Sequence, residues 1–203
     1  MDEAKTEILK QCLGYFLRHG VRKMRNDNLV ALLGISTKTI YKHFRDKEDL
    51  IAQALGLFYS QQHAQLELLS QNEPAPILLF HIWQQGFDME FKVNKTFFQD
   101  LHYYYPELEK KVETRHAKKI WKVFIQIINR GKKEGDLIHD ILPEAVLEGI
   151  SVLYLSIVRK DEFKKFGLSP NILLLNTIAV YLRGICTEKG IKVLDRHIAQ
   201  FKT

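Results

Sequence analysis

Thr37, Lys38, Thr39, Tyr41, Lys42 and His43 fall within seven consecutive residues, and Ile40 and Phe44 stand four apart among them. If the stretch is helical, the 3.6-residue period turns Ile40 and Phe44 to one side, where they are buried. The other side then carries two ammonium groups, two threonine hydroxyls, a phenol and an imidazole. Such groups donate to phosphate oxygens and to the acceptor edges of bases, as a helix lying in a DNA major groove requires. The plainer reading of the same residues is a solvated basic face on an ordinary helical corner.

The elements that must position this face are legible around it. Leu33-Gly34-Ile35-Ser36 joins a short helix over about Asp27 to Leu33 to a third helix over Thr37 to Phe44. Gly34 is the residue that tolerates the sharp turn, Ile35 plugs the space between the two helices, and Ser36 is an N-cap. A first helix over residues 2–19 places Ile8, Cys12, Tyr15 and Phe16 at helical spacing and stops at Gly20. A fourth begins near Asp46-Lys47-Glu48-Asp49, which offers a cap and first-turn acids, and continues to about Leu69.

Charge points the same way. From Arg18 to Lys47 there are eight basic and two acidic residues, which accounts for the whole formal charge of +6 on this 203-residue chain. A basic patch on an otherwise balanced chain is an electrostatic footprint for a polyanion.

The run Leu33-Gly34-Ile35-Ser36-Thr37-Lys38-Thr39-Ile40-Tyr41-Lys42-His43-Phe44-Arg45-Asp46-Lys47-Glu48-Asp49-Leu50, with Gly20 and Leu29-Val30 before it, resembles the N-terminal signature of TetR-family regulators. The resemblance covers about residues 5–55; beyond residue 60 only an all-helical layout and a final pair of apolar helices match. It implies phosphate contacts from Thr39, Tyr41 and Lys47, and places Thr37, Lys38, Lys42 and His43 nearest the base edges. Where the family usually has a threonine or serine capping the second helix, this chain has Arg25-Asn26. Asn26 is therefore expected to cap, and Arg25 to reach phosphate. Val30 and Leu33 stand where small alanines are usual, implying different local packing.

After Pro76 helical periodicity continues over about 76–92, 95–104, 106–133, 143–159 and 170–188, with Pro106, Gly131, Gly135, Pro143 and Pro170 at the joints. The expected fold is all-α, with about nine helices. Residues 1–46 form a three-helix helix-turn-helix domain. Residues 47–203 form a helical ligand-sensing and dimerisation domain, with a helix over 47–70 as connector. The basic tail, Lys189, Lys192, Arg196, His197 and Lys202, reads as a solvated final helix.

One helix-turn-helix reads too few base pairs to be selective, so a two-fold dimer is expected. Val146, Ile150, Leu153 and Ile157 make one apolar stripe, and Ile172, Leu175, Ala179 and Leu182 another. These are the candidate interface, built as an intermolecular four-helix bundle. The middle of the chain is rich in aromatics, and Trp83, Phe87, Phe98, His102, Trp121 and Phe124 are the candidate lining of an effector cavity. Core packing is the competing account of each.

The resulting expectation is a cytoplasmic regulator, most simply a repressor, that binds operator DNA as a homodimer and is released by a small apolar or amphipathic effector. An alternative is a C-terminal domain that binds a protein partner or no ligand, and an activator has the same sequence requirements. No Gly-rich phosphate loop, nucleophile elbow, His-Glu-x-x-His motif or Cys–His arrangement is present, so no enzymatic role is expected. Cys12 and Cys186 fit no metal or disulfide pattern, no cofactor is expected, and no stretch is apolar enough to span a bilayer.

Overall fold

The computed structural model of the chain describes residues 3–67, 72–160 and 162–201. Within them the fold is all-α: α1 Glu3–His19, α2 Asn26–Leu33, α3 Thr37–His43, α4 Lys47–Glu67, α5 Ala75–Glu90, α6 Thr96–Tyr104, α7 Pro106–Glu134, α8 Pro143–Val158, α9 Pro170–Asn176, α10 Ile178–Gly184 and α11 Glu188–Phe201. A 3-10 turn spans Lys164–Phe166, and one isolated antiparallel bridge pairs Leu137 with Cys186. Residues 68–70 of the expected connector lie outside the described residues. No described helix is long and apolar enough to cross a membrane.

Packing divides the chain into two units, residues 1–64 with 92–118, and residues 65–91 with 119–203. In the first unit α1 packs on α2 and α6, and α2 on α3. Leu9, Cys12, Leu13, Phe16, Leu29, Ile40, Phe44 and Leu50 form its fully buried centre near the turn. Phe58 of α4 meets Phe97 and Phe98 of α6 edge-on, with ring centroids 6.3 and 6.0 Å apart. Aromatic pairs of this kind add modestly to the area they bury.

In the second unit α5 packs on α9, α10 and α11, and α10 on α8. One apolar cluster runs through it, centred on Leu78, Phe80, Ile128, Ile150, Leu174, Ile178, Leu182 and Leu194. Within that cluster Glu90 is almost fully buried and accepts a hydrogen bond from Arg159 Nη2 at 2.9 Å.

The expected single helix over 170–188 is two short helices. Asn176 Nδ2 donates to the Ile172 carbonyl, Thr177 Oγ1 donates to the Leu173 carbonyl, and Thr177 leaves helical geometry with ψ −78°. Side chains that bond their own backbone in this way compete with a helix ladder. The final basic segment is also more than a solvated tail. Helix α11 buries Leu194 and Ile198, and its start is tied down where Lys189 Nζ meets Asp136 Oδ1 at 2.7 Å.

Candidate nucleic-acid interface

The exposed basic face is held by a chain of local bonds. Gly34 ends α2 in the left-handed region, φ +65°, and donates its N–H to the Val30 carbonyl. Ser36 then opens α3: its Oγ accepts the Thr39 N–H at 3.1 Å and lies 2.9 Å from Thr39 Oγ1. This satisfies one of the donors a helix start leaves free. Ile40 and Phe44 are fully buried. Lys38, Thr39 and Lys42 are exposed, and Thr37, Tyr41 and His43 half-buried, so all six lie away from the buried Ile40–Phe44 side of α3.

Asn26 does not cap α2. The N-cap is Arg25, in extended geometry and without a side-chain cap bond. Asn26 is the first helical residue, and its Oδ1 accepts the Tyr41 hydroxyl at 2.9 Å. A polar side chain that cannot reach its own helix's N–H groups has been recruited by the neighbouring helix. Burial, followed by the Asp46 carboxylate, pushes the Tyr41 phenol above its ordinary pKa, so it stays protonated and able to donate. Arg25 is exposed beside it.

The start of α4 is built as a reciprocal cap. Asp46 Oδ1 accepts the Asp49 N–H at 2.8 Å, and Asp49 Oδ2 accepts the Arg45 N–H at 3.0 Å. The Asp49 N–H and the Arg45 side chain together hold the Asp46 carboxyl below its usual range. Lys47 follows, half-buried. Burial lowers the pKa of its ammonium, and the Asp100 carboxylate opposes that fall. A partly desolvated ammonium gains from a nearby anion.

Asp100, which no motif in the sequence marks, organises the approach to this face. It is buried on α6 and accepts the backbone N–H of Arg22 at 2.9 Å. Gly20 sits against it with φ +79°, and a Cβ there would overlap Asp100 Oδ2 and Thr96. The α1–α2 segment that carries Arg22, Lys23 and Arg25 is thereby fixed from α6. Nothing in the linear pattern singles out Asp100, because its role depends on a partner 78 residues away.

The candidate effector residues separate. Trp83, Phe87 and Phe124 come together in the second unit, with Trp83 5.0 Å from Phe124 and 5.1 Å from Tyr154, and Phe87 5.5 Å from Tyr154. Trp121 packs partly buried against the same cluster. Phe98 belongs instead to the first unit, against Phe58 and Phe97. His102 is 84 % exposed and contacts Glu109 at 3.6 Å, so the described residues do not enclose it. Tyr154 is the member of the aromatic group that the sequence reading left out. Between Trp83 and Phe87 in sequence, Gln85 Oε1 is buried without a hydrogen-bond partner among the described residues.

The expected interface stripes are also corrected. Ile150, Ile157, Ala179 and Leu182 are buried in the chain's own core, and Val146, Leu153 and Leu175 pack partly buried against it. Of the eight, only Ile172 is exposed; the apolar residues that face outward are Val152 and Leu155 on α8 and Val180 on α10.

Residues 8–54, which contain this turn and face, match the family model of bacterial regulatory proteins, tetR family. The N-terminal domain is a TetR-family helix-turn-helix. No curated protein matches the sequence closely enough to count as a relative. The TetR-type fold extends through the chain. A transcriptional regulator of Saccharomonospora viridis, solved in complex with choline, superposes with a TM-score of 0.74 at 19 % identity, over 93 % of this chain and 100 % of that one. NemR of E. coli in its reduced form gives 0.71 at 16 % identity, over 91 % and 98 %. The fatty acid degradation regulator FadR of Bacillus halodurans gives 0.66 at 16 %, over 91 % and 97 %.

Proposed function

We propose that this TetR-type chain is a cytoplasmic transcription repressor that binds a palindromic operator as a homodimer and lets go when a small apolar or amphipathic effector occupies its C-terminal helices. The observation that carries the reading is the capped, exposed, basic face of α3, set beside Lys47 at the start of α4. Thr39, Tyr41, Arg25 and Lys47 supply phosphate contacts that set affinity and register. Thr37, Lys38, Lys42 and His43 face the base edges. Functionally, residues 1–46 are the DNA-binding part and 47–203 the sensing and dimerising part.

Dimerisation uses the outward apolar residues Val152, Leu155, Ile172 and Val180, which a monomer would leave in water. The effector site is the aromatic group Trp83, Phe87, Trp121, Phe124 and Tyr154, with Gln85 Oε1 as an acceptor for an orienting donor. That the Saccharomonospora viridis regulator was solved in complex with choline supports a small amphipathic effector for a chain of this fold. Effector binding shifts the dimer toward a state whose two α3 helices no longer match successive major grooves.

Titration of duplex DNA at several salt concentrations tests the nucleic-acid face. Each phosphate contact contributes about −0.9 to the slope of log affinity against log salt. Lys47→Ala should reduce the magnitude of that slope by about 1, while Lys42→Ala should weaken discrimination between sequences more than the slope. Wild-type binding without salt dependence would refute the assignment.

A further inference from the structure

His81 of α5 and His197 of α11 point their Nε2 atoms at each other across 2.8 Å. Their rings stand nearly perpendicular, with centroids 4.6 Å apart, and Phe80 packs edge-on against His197. On the far side of His81, Nδ1 lies 3.1 Å from Glu73 Oε2. That contact lies off the N–H direction, and Oε2 is buried without a hydrogen bond among the described residues. A carboxylate at this distance still favours the proton on Nδ1, which leaves the Nε2 lone pair turned toward His197.

We propose that His81 and His197 form a two-histidine site for a divalent transition-metal ion of the nickel, copper and zinc group, which staples α11 to α5. The spacing suits it. Two nitrogens bound to one ion at about 2.0–2.1 Å in adjacent positions of a square or octahedron stand about 2.9 Å apart. Without an ion a single proton, that of His197, lies between the two nitrogens; on binding, the ion takes its place and His197 carries that proton on Nδ1 instead. Glu73 plays the outer carboxylate, orienting His81 rather than binding the metal.

No third histidine, cysteine or carboxylate completes the set among the described residues, so water fills the remaining positions. Both rings are only partly buried, which lets a hydrated ion reach them. From α7, Arg130 Nη2 donates to the Glu73 carbonyl at 2.6 Å, and Arg130 Nε stands 3.7 Å from Glu134. This cation is therefore held by the Glu134 carboxylate and a main-chain carbonyl.

Calorimetric titration of the tag-free full chain with NiCl2, and separately with ZnCl2, tests the site. Wild type should take up one equivalent per chain, and metal should raise its melting temperature in a manner reversed by EDTA. His81→Gln and His197→Gln should each weaken uptake by at least about tenfold. His139→Gln, at an exposed histidine elsewhere, should leave it unchanged. Circular dichroism of the metal-free variants verifies that both fold, since glutamine keeps a hydrogen-bonding group at each position. No saturable equivalent in wild type, or equal uptake by wild type and the two glutamine variants, would overturn the proposal.

Discussion

The Tyr41 hydroxyl donates to Asn26 Oδ1 at 2.9 Å, so the exposed helix α3 is tied to the first turn of α2 by a bond between two polar side chains. Neither residue could be assigned this role from its own helix. The bond fixes the relative rotation of the two helices that must meet DNA together. Tyr41→Phe keeps the ring and removes the donor, and a single hydrogen bond of this type contributes about 0.5–1.5 kcal/mol. DNA affinity at fixed salt should fall by about three- to tenfold, read by fluorescence anisotropy, with little change in melting temperature. Asn26→Ala should reproduce most of the loss. Unchanged affinity in both variants would show the bond to be incidental.

Asp100 is expected to be structural through its acceptor oxygen. Asp100→Ala leaves the partly buried Arg22 N–H without its Asp100 acceptor, at a cost of about 1 kcal/mol. Asp100→Asn keeps an acceptor there and should cost less than the alanine change in thermal unfolding. Gly20→Ala should be at least as damaging as Asp100→Ala, because the added methyl meets both a left-handed backbone and the carboxylate. Equal stability of Asp100→Ala and wild type would refute this account of the junction.

Much of the DNA-binding face was legible because each of its residues has a local reason. Gly34, Ser36, Ile40, Phe44 and Asp46 each perform the task their type and position suggest. Partners distant in sequence were not legible, which is why Asp100 and the Asn26–Tyr41 bond went unread. The interface stripes were only partly legible, for a different reason. Helices α8 to α10 are apolar around most of their circumference, so periodicity offers several arcs and no means of choosing among them. The core took Ile150, Ile157, Ala179 and Leu182 of the arcs picked out from sequence, partly covered Val146, Leu153 and Leu175, and left Ile172 outside with Val152, Leu155 and Val180. The break at Thr177 carries no proline or glycine to announce it, and Thr187, which accepts the Gly190 N–H at 3.3 Å just before α11, lay inside the helix expected over 170–188.

Glu90 and Arg159 offer a test of the second unit's core. Arg159→Met strands a nearly fully buried carboxylate, and breaking such a pair costs about 3–5 kcal/mol. The double change Glu90→Gln with Arg159→Met should recover much of that loss in chemical denaturation. A single variant as stable as the double would contradict the pairing.

Burial pushes the Cys12 thiol to about 12, and burial followed by Asp136 and Asp195 does the same for Cys186. Neither forms appreciable thiolate at pH 8 in the folded chain. Both should therefore resist a disulfide exchange reagent until denaturant is added, after which two thiols per chain should react. Rapid reaction of the native protein would place at least one of them outside the core.

The proposed dimer predicts that Val152→Arg, a change at a 55 % exposed position, leaves the fold intact but shifts sedimentation from dimer to monomer and lowers DNA affinity. A dimer unaffected by the charge would place the interface elsewhere.

The most direct test of the central claim is selection of bound sequences from random duplex DNA by the purified chain, repeated with Tyr41→Ala and Lys47→Ala. The account predicts an enriched palindrome whose half-sites are spaced for two α3 helices in successive major grooves, with enrichment lost or reduced in both variants. Absence of any enriched sequence at modest salt, or enrichment unchanged in the variants, would contradict it.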